Sequence, residues 1–199
     1  MRPPEFLNIY RESVKVANLD AYNAIEREAV HTCVQVKCPN IYFAAVSRKQ
    51  DTQWTWFFSS FDSREDVDRV AAIYAQKAEL NAAMARIVER KKDIVSPPQN
   101  TLARYREDLS RDFGVDIPHA RFLTITVIHV RDGYLAEFEE RQRLINRMTG
   151  NRDSESAFAR PAGLVYQAVS ETTAETFYVI LPHHKPAKKG ANQLSRFRR

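Results

Sequence analysis

Glycine is scarce in this chain, with five among 199 residues, and no G-x-G-x-x-G, P-loop lysine, G-x-S-x-G or H-E-x-x-H occurs. Phosphate-cradling loops and elbow-type hydrolase chemistry therefore find no support. Cysteine is scarcer still. Cys33 and Cys38 are too few for a disulfide scaffold and suit a reducing compartment. With no second Cys or His pair at metal-site spacing, Cys33 reads as a small core residue and Cys38 as a helix-end residue, and no metal is expected. No apolar run approaches the ~20 residues a spanning helix needs, and the start MRPPEFLNIY lacks the apolar core of a signal peptide. A cytoplasmic protein is the expectation.

Acid is missing from one place only. The segment from Pro182 to Arg199 carries Lys185, Lys188, Lys189, Arg196, Arg198 and Arg199 and no Asp or Glu, so without these six the net charge of +5 becomes −1. The basicity belongs to this tail. It reads as a solvated, disordered terminus at 183–199, compatible with nucleic acid or an anionic membrane, and His183 and His184 within it suggest no more than adventitious metal binding. The rest of the chain shows no one-sign field that would steer a polyanion.

What is present is a repeat. FLNIY at Phe6 to Tyr10 returns as FLTIT at Phe122 to Thr126, DAYNA at Asp20 as DGYLA at Asp132, and IYFAAVS at Ile41 as LVYQAVS at Leu164. WTWFF at Trp54 to Phe58 answers to TFYVI at Thr176 to Ile180. Both copies read strand, helix, strand, strand. Asp20 is a candidate N-cap, followed by the stripe Ala21, Ile25, Ala29, Cys33 and Val36, which Pro39 ends. Ser63 with Asp66 resembles a capping box opening a long helical stretch. Its apolar phase changes near Gln76, where a bend or break is expected. The charges Arg86, Glu89, Arg90, Lys91 and Lys92 read as a solvated face. Thr101 to Glu107 is a candidate fourth strand, and Asp108 to Ala120 the joint between halves. Gly133 opens the helix of the second copy, which runs through Met148, and Gly150 to Ala162 reads as a polar loop.

The divisions expected are a first ferredoxin-like unit at 1–108, a linker at 109–120, a shortened second unit at 121–182, and the tail. The long helix and fourth strand of the first unit have no counterpart in the second, which is expected to be truncated. A β-α-β-β-α-β unit places both helices on one face of an antiparallel sheet. The other face, rich in aromatics, must then be covered by the second sheet or by another chain, since burying one large apolar side chain is worth roughly 1.5–3 kcal/mol. The fold class expected is α+β, duplicated ferredoxin-like units with antiparallel sheets.

LNIYRESVK at Leu7 to Lys15, the aromatic strand from Trp54, FDSREDVDR at Phe61 and ARIVERKKDIV at Ala85 together resemble the dimeric α+β barrel superfamily. Within it, they are similar to NIPSNAP-like and antibiotic-biosynthesis-monooxygenase-like proteins. That resemblance implies a ligand cavity at the sheet, a homodimer as one form, and cofactor-independent oxygenation as one activity, so no cofactor is expected. Haem-degrading relatives use an Asn on the first strand, a Trp ending the third and a His on the following helix. Asn8 fits the first; Ser60 and Phe61 stand where the Trp would be, and no His occurs between Asp51 and Ile117. Haem degradation by that route is not expected.

The candidate cavity residues are Asn8, Tyr10, Tyr42, Trp54, Trp56 and His129, and the expected ligand is a small apolar or aromatic molecule. Aromatics at these positions also suit plain core packing, and a lone His129 also suits a structural role. The rival to a binding protein is a non-catalytic interaction module whose uncovered strand edge recruits a partner chain.

Overall fold

The structure, a computed structural model, describes residues 2–40, 42–111, 117, 120–148, 163–169, 175–183 and 194–197. The polar loop expected from Gly150 to Ala162 and most of the basic tail lie outside these. Two compact units emerge: Glu5–Asn100 with Phe197–Arg199, and Thr101–Arg196 with Met1–Pro4.

In the N-terminal unit, runs of β-branched and aromatic residues form β1 (Phe6–Lys15), β2 (Tyr42–Lys49) and β3 (Thr52–Phe61). These pair antiparallel in the order β1-β3-β2, with Tyr10 opposite Phe57 and Ala44 opposite Phe57 on the other side. Gln50, at φ 55°, turns β2 into β3. Helix α1 (Leu19–Gln35) follows β1; its N-cap is Asn18, with no side-chain bond, and Asp20 stands in the first turn rather than at the cap. An anion there still complements the helix N-terminus. Ser63 caps α2 (Arg64–Gln76) by accepting from the Asp66 N–H. The break expected near Gln76 is found: Lys77, at φ −93° and ψ 92°, separates α2 from α3 (Ala78–Lys91). After α3 the chain lies along β1, where Ser96 N–H donates to Ser13 O at 2.8 Å.

Alternation gives this sheet two distinct faces. Phe6, Asn8, Tyr10, Glu12 and Val14 share one face with Thr55, Phe57 and Ser59. Val14 packs there with Leu19 and Tyr22 of α1 and with Ile94 and Val95. Leu7, Ile9 and Arg11 share the opposite face with Trp54, Trp56 and Phe58.

The C-terminal unit repeats the pattern with β5 (Phe122–His129), α4 (Leu135–Met148), β6 (Leu164–Ala168) and β7 (Thr176–His183). Gly133, at φ 81°, supplies the left-handed turn before α4, so the helix starts two positions later than the sequence suggests. Two further strands belong to this sheet. β4 (Gln99–Tyr105) pairs with β6 through Ala103 and Ala168, which places the unit boundary at Asn100/Thr101 instead of at residue 108. β8 (Leu194–Phe197) pairs with β5 through Leu194 opposite Leu123 and Ser195 opposite Phe122.

β8 corrects the sequence reading twice. The stretch taken as a disordered tail contains a strand, and the fourth strand thought missing is present. An otherwise unpaired row of N–H and C=O groups along β5 is a template that even a four-residue segment can complete. The shortening of the second copy is therefore one of helix: among the described residues no helix lies between β7 and β8.

A second correction concerns the cysteines. Cys33 and Cys38 are joined in a disulfide with Cα atoms 4.9 Å apart, and both are half-buried. The last turn of α1 brings them together, with Cys38 N–H bonded to Cys33 O and Lys37 at φ 54° reversing the chain. Among the described residues no helix is long and apolar enough to cross a membrane.

Candidate functional site

The alternation of β1 and β3 sorts the residues singled out in the sequence. Asn8, Tyr10 and Tyr42 lie on the helix-covered face of the N-terminal unit, where Tyr10 and Tyr42 both pack on Phe57, with ring centroids at 5.8 and 5.5 Å. Trp54 and Trp56 lie on the opposite face, where the Arg11 guanidinium stands over both rings at 5.2 and 4.8 Å and donates to Gln99. His129 belongs to the other unit, is exposed, and bonds through Nδ1 to Thr176 Oγ1 at 3.0 Å. The five that belong to the N-terminal unit divide between its two faces. The period of two that makes a strand also divides its neighbours between faces, and adjacent aromatics such as Trp56 and Phe57 point apart.

On the helix face stands a cluster that the sequence reading missed. Glu12, 0% exposed, accepts from Tyr22 Oη at 2.8 Å, from Tyr10 Oη at 3.0 Å and from Lys91 Nζ at 2.5 Å. Lys91, ending α3, also donates to Glu26 of α1 at 2.7 Å. Its ammonium stands 5.4 Å from the Tyr22 ring centroid, 5.8 Å from that of Phe57 and 6.0 Å from that of Tyr10. Opposite Glu12 on β3 is Thr55, buried, beside the Tyr22 hydroxyl; its Oγ1 meets no partner at hydrogen-bond geometry. Further along the same face, Asn40 donates to Ser59 Oγ at 3.0 Å and accepts from Tyr74 Oη of α2 at 2.9 Å.

The electrostatics follow from burial. Tyr10 and Tyr22 are both pushed above the ordinary phenol range, first by loss of water. For Tyr10 the Glu12 charge comes next; for Tyr22 it is Glu26, then Glu12. Both phenols stay protonated at neutral pH and act as donors. Burial likewise raises Tyr74. The arrangement joins a carboxylate, an ammonium and two phenols in a dry setting, where proton transfer or stabilisation of an oxyanion is chemically available. Tyr10, only half-buried, is its outermost member.

The repeat supplies an internal control. In its register Glu12 corresponds to Ile128, Thr55 to Phe177 and Tyr10 to Thr126. The structure keeps those pairings, Glu12 opposite Thr55 and Ile128 opposite Phe177. In the C-terminal unit Thr126 is exposed, and Ile128 and Phe177 belong to an apolar cluster in which Ile128, Leu135 and Phe138 pack against Phe177, Val165 and Leu109. The fold accepts hydrocarbon where the N-terminal unit carries charge.

Two residues of the cluster were hidden for identifiable reasons. Glu12 sits in the polar run Arg11–Ser13, and Lys91 in a charged helix end that reads as solvated; Lys91 is in fact buried. The available signal was spacing, because Lys91 extends the buried series Ala83 and Ile87 by four residues.

The C-terminal unit has its own polar group. Arg106 donates to Asp108 through Nε and Nη2, both at 2.9 Å, and to Glu139 at 2.6 Å; Arg143 reaches the same two acids. An open cavity of about 470 Å³ is lined by Arg104, Tyr105, Arg106, Glu107 and Asp108. Its ion pairs are mutually satisfied, which marks a structural tie between β4 and α4.

The fold these units define is that of the dimeric α+β barrel type. Solved structures resemble the chain over nearly its whole length. A candidate monooxygenase from Fusobacterium nucleatum superposes with a TM-score of 0.60 at 14% identity, covering 100% of this chain and 94% of that one. An anthrone oxidase-like protein gives 0.56 at 12% identity, covering 98% and 92%. A chlorite dismutase mutant from Candidatus Nitrospira defluvii gives 0.52 at 4% identity, covering 99% and 93%. Such likeness shows the fold alone. No protein-family model and no curated protein matches the sequence.

Proposed function

We propose that the N-terminal unit binds a small aromatic or apolar molecule carrying an acidic C–H or phenol on its helix face, and that the chain is a monooxygenase needing no cofactor. This reading includes the finer resemblance to NIPSNAP-like and antibiotic-biosynthesis-monooxygenase-like proteins. The observation that carries it is the contrast between Glu12 and Ile128. A buried ion pair is often no better for stability than well-packed hydrocarbon, so a buried carboxylate where the C-terminal unit carries Ile128 points to chemistry. The buried Thr55 hydroxyl, beside that of Tyr22, adds a polar group facing the same place.

In this reading the half-buried Tyr10 meets the substrate oxygen, Lys91 stabilises the anion formed on deprotonation, and Glu12, braced by the buried Tyr22, holds both in position. An activated methylene would react with dioxygen to give a carbonyl and water, the substrate itself supplying the electrons. The candidate monooxygenase and the anthrone oxidase-like protein among the structural neighbours are compatible with this class of reaction. A homodimer fits the same reading. The rival interaction module rested on an edge without its fourth strand, and β8 occupies part of that edge.

Native mass spectrometry of freshly purified chain, followed by soaking with anthrone-like phenols, tests the proposal. Retained mass of a few hundred daltons that Glu12→Leu/Lys91→Met abolishes supports it. Binding that survives in this double variant, or no binding by any aromatic probe, overturns it.

A further inference from the structure

The disulfide closes a short loop, Cys33 to Cys38, so it staples no distant elements together. What it holds is local. It fixes the final turn of α1, where Lys37 adopts φ 54°, a left-handed conformation that a lysine disfavours. Three backbone bonds hold the same turn independently: Val36 N–H to Thr32 O at 2.9 Å, Lys37 N–H to Val34 O at 3.4 Å and Cys38 N–H to Cys33 O at 2.9 Å. Once reduced, the two thiols stay within reach of one another, and re-formation of the bond is an intramolecular event at high effective concentration. Both cysteines are half-buried and flanked by the exposed Val34 and Lys37, so a small reagent has access.

The turn leads straight to the helix-covered face. Pro39 follows Cys38 and restricts its backbone. Asn40 then bridges Ser59 of β3 and Tyr74 of α2, and Ser59 stands opposite both Asn8 and Tyr42. Without the cross-link, only backbone bonds oppose the strain at Lys37, and Asn40 sits three residues from the point of release.

We propose that Cys33 and Cys38 form a reversible dithiol–disulfide site whose co-reactant is a dithiol reductant, and that its state sets the order of the segment Val36–Asn40. A reductant thiolate attacks one protein sulfur, and the other leaves as a thiolate that takes a proton. The reductant's second thiol then displaces the first protein sulfur, which is also protonated. Two electrons and two protons pass to the protein, and the reductant departs as a disulfide.

The test uses the intact native chain with dithiothreitol, and with glutathione disulfide for the reverse direction. Iodoacetamide labelling read by mass gives the thiol state, and amide hydrogen exchange gives the order of the segment. Expected is reduction without denaturant, about tenfold faster exchange across Val36–Asn40 with β1 and β3 unchanged, and recovery on reoxidation. Cys33→Ser/Cys38→Ser should show the fast exchange permanently and ignore dithiothreitol. Reduction that occurs only with global unfolding, reduction that leaves the segment's exchange unchanged, or thiols that no disulfide oxidant couples would each overturn the proposal.

Discussion

Tyr22 Oη donates to Glu12 Oε1 at 2.8 Å, joining the first turns of α1 to the middle of β1 in the interior of the N-terminal unit. Lys91 reaches the same oxygen from the end of α3. One carboxylate oxygen thus ties two consecutive elements, β1 and α1, to the distant end of α3, and Glu12 is left a buried charge if Lys91 goes, whereas Lys91 keeps Glu26 if Glu12 goes.

Lys91→Met alone should therefore be costly. It leaves Glu12 as a buried anion with only two phenol donors, and a loss of about 3–5 kcal/mol is expected in urea unfolding. The paired change Glu12→Leu/Lys91→Met, which removes the buried charges and leaves Glu26, itself partly open to solvent, without its lysine, should regain part of that loss while removing ligand binding. A double variant less stable than either single change would show that the cluster is not a unit.

Tyr22→Phe removes one donor and leaves the ion pair intact. A cost of about 1–3 kcal/mol is expected, the usual range for losing one partner of a buried hydrogen bond. The matching change at Tyr10, at the edge of the cluster and half-buried, should cost less and alter ligand affinity more.

Alkaline titration followed by phenol absorbance should show Tyr10 and Tyr22 ionising late. Their folded-state pKa values lie above the unfolded one of 10.0, so the stabilisation they bring is complete below that pH. It is lost as pH rises beyond it. Tyr10→Phe/Tyr22→Phe should abolish the late component; a wild-type titration with every phenol near its ordinary value would contradict the burial described.

Acid should weaken the C-terminal unit through Asp108. The Arg106 guanidinium, helped by Arg143, holds this carboxyl at about 2, below the ordinary carboxylate range. The contribution is present above pH ~4 and fades as pH falls towards ~2. Glu139 is shifted the same way, by Arg106 first. Asp108→Asn should flatten the acid limb of a melting-temperature profile. The size of the effect will be small, because the pair is partly open to solvent.

Much of the fold was legible because a repeat is a strong signal. The strands, the capping at Ser63 and the break after Gln76 all follow from local chemistry written in the sequence. The candidate site was legible only in part. Tyr10 and Asn8 could be picked as polar members of an apolar strand, but grouping them with Trp54 and Trp56 ignored the strand's own alternation. Glu12 and Lys91 are adjacent only through tertiary packing, 79 residues apart, and each sits among other charges that disguise it. β8 escaped because four residues in a basic segment carry no pattern of their own; a pre-existing strand edge supplies the order.

The sequence repeat and the structural division do not coincide, and this bears on how the protein comes into being. Tyr166 Oη donates to Pro4 O, 162 residues away, and β4 pairs with β6 across the intervening β5 and α4. The C-terminal unit thus draws on two stretches far apart in sequence, one on each side of the N-terminal unit. Contacts of such long sequence separation slow folding. During synthesis Pro4 and Ala103 must wait without these partners until β6 has been made, an interval in which chaperone capture or pairing with another nascent copy competes with the native outcome.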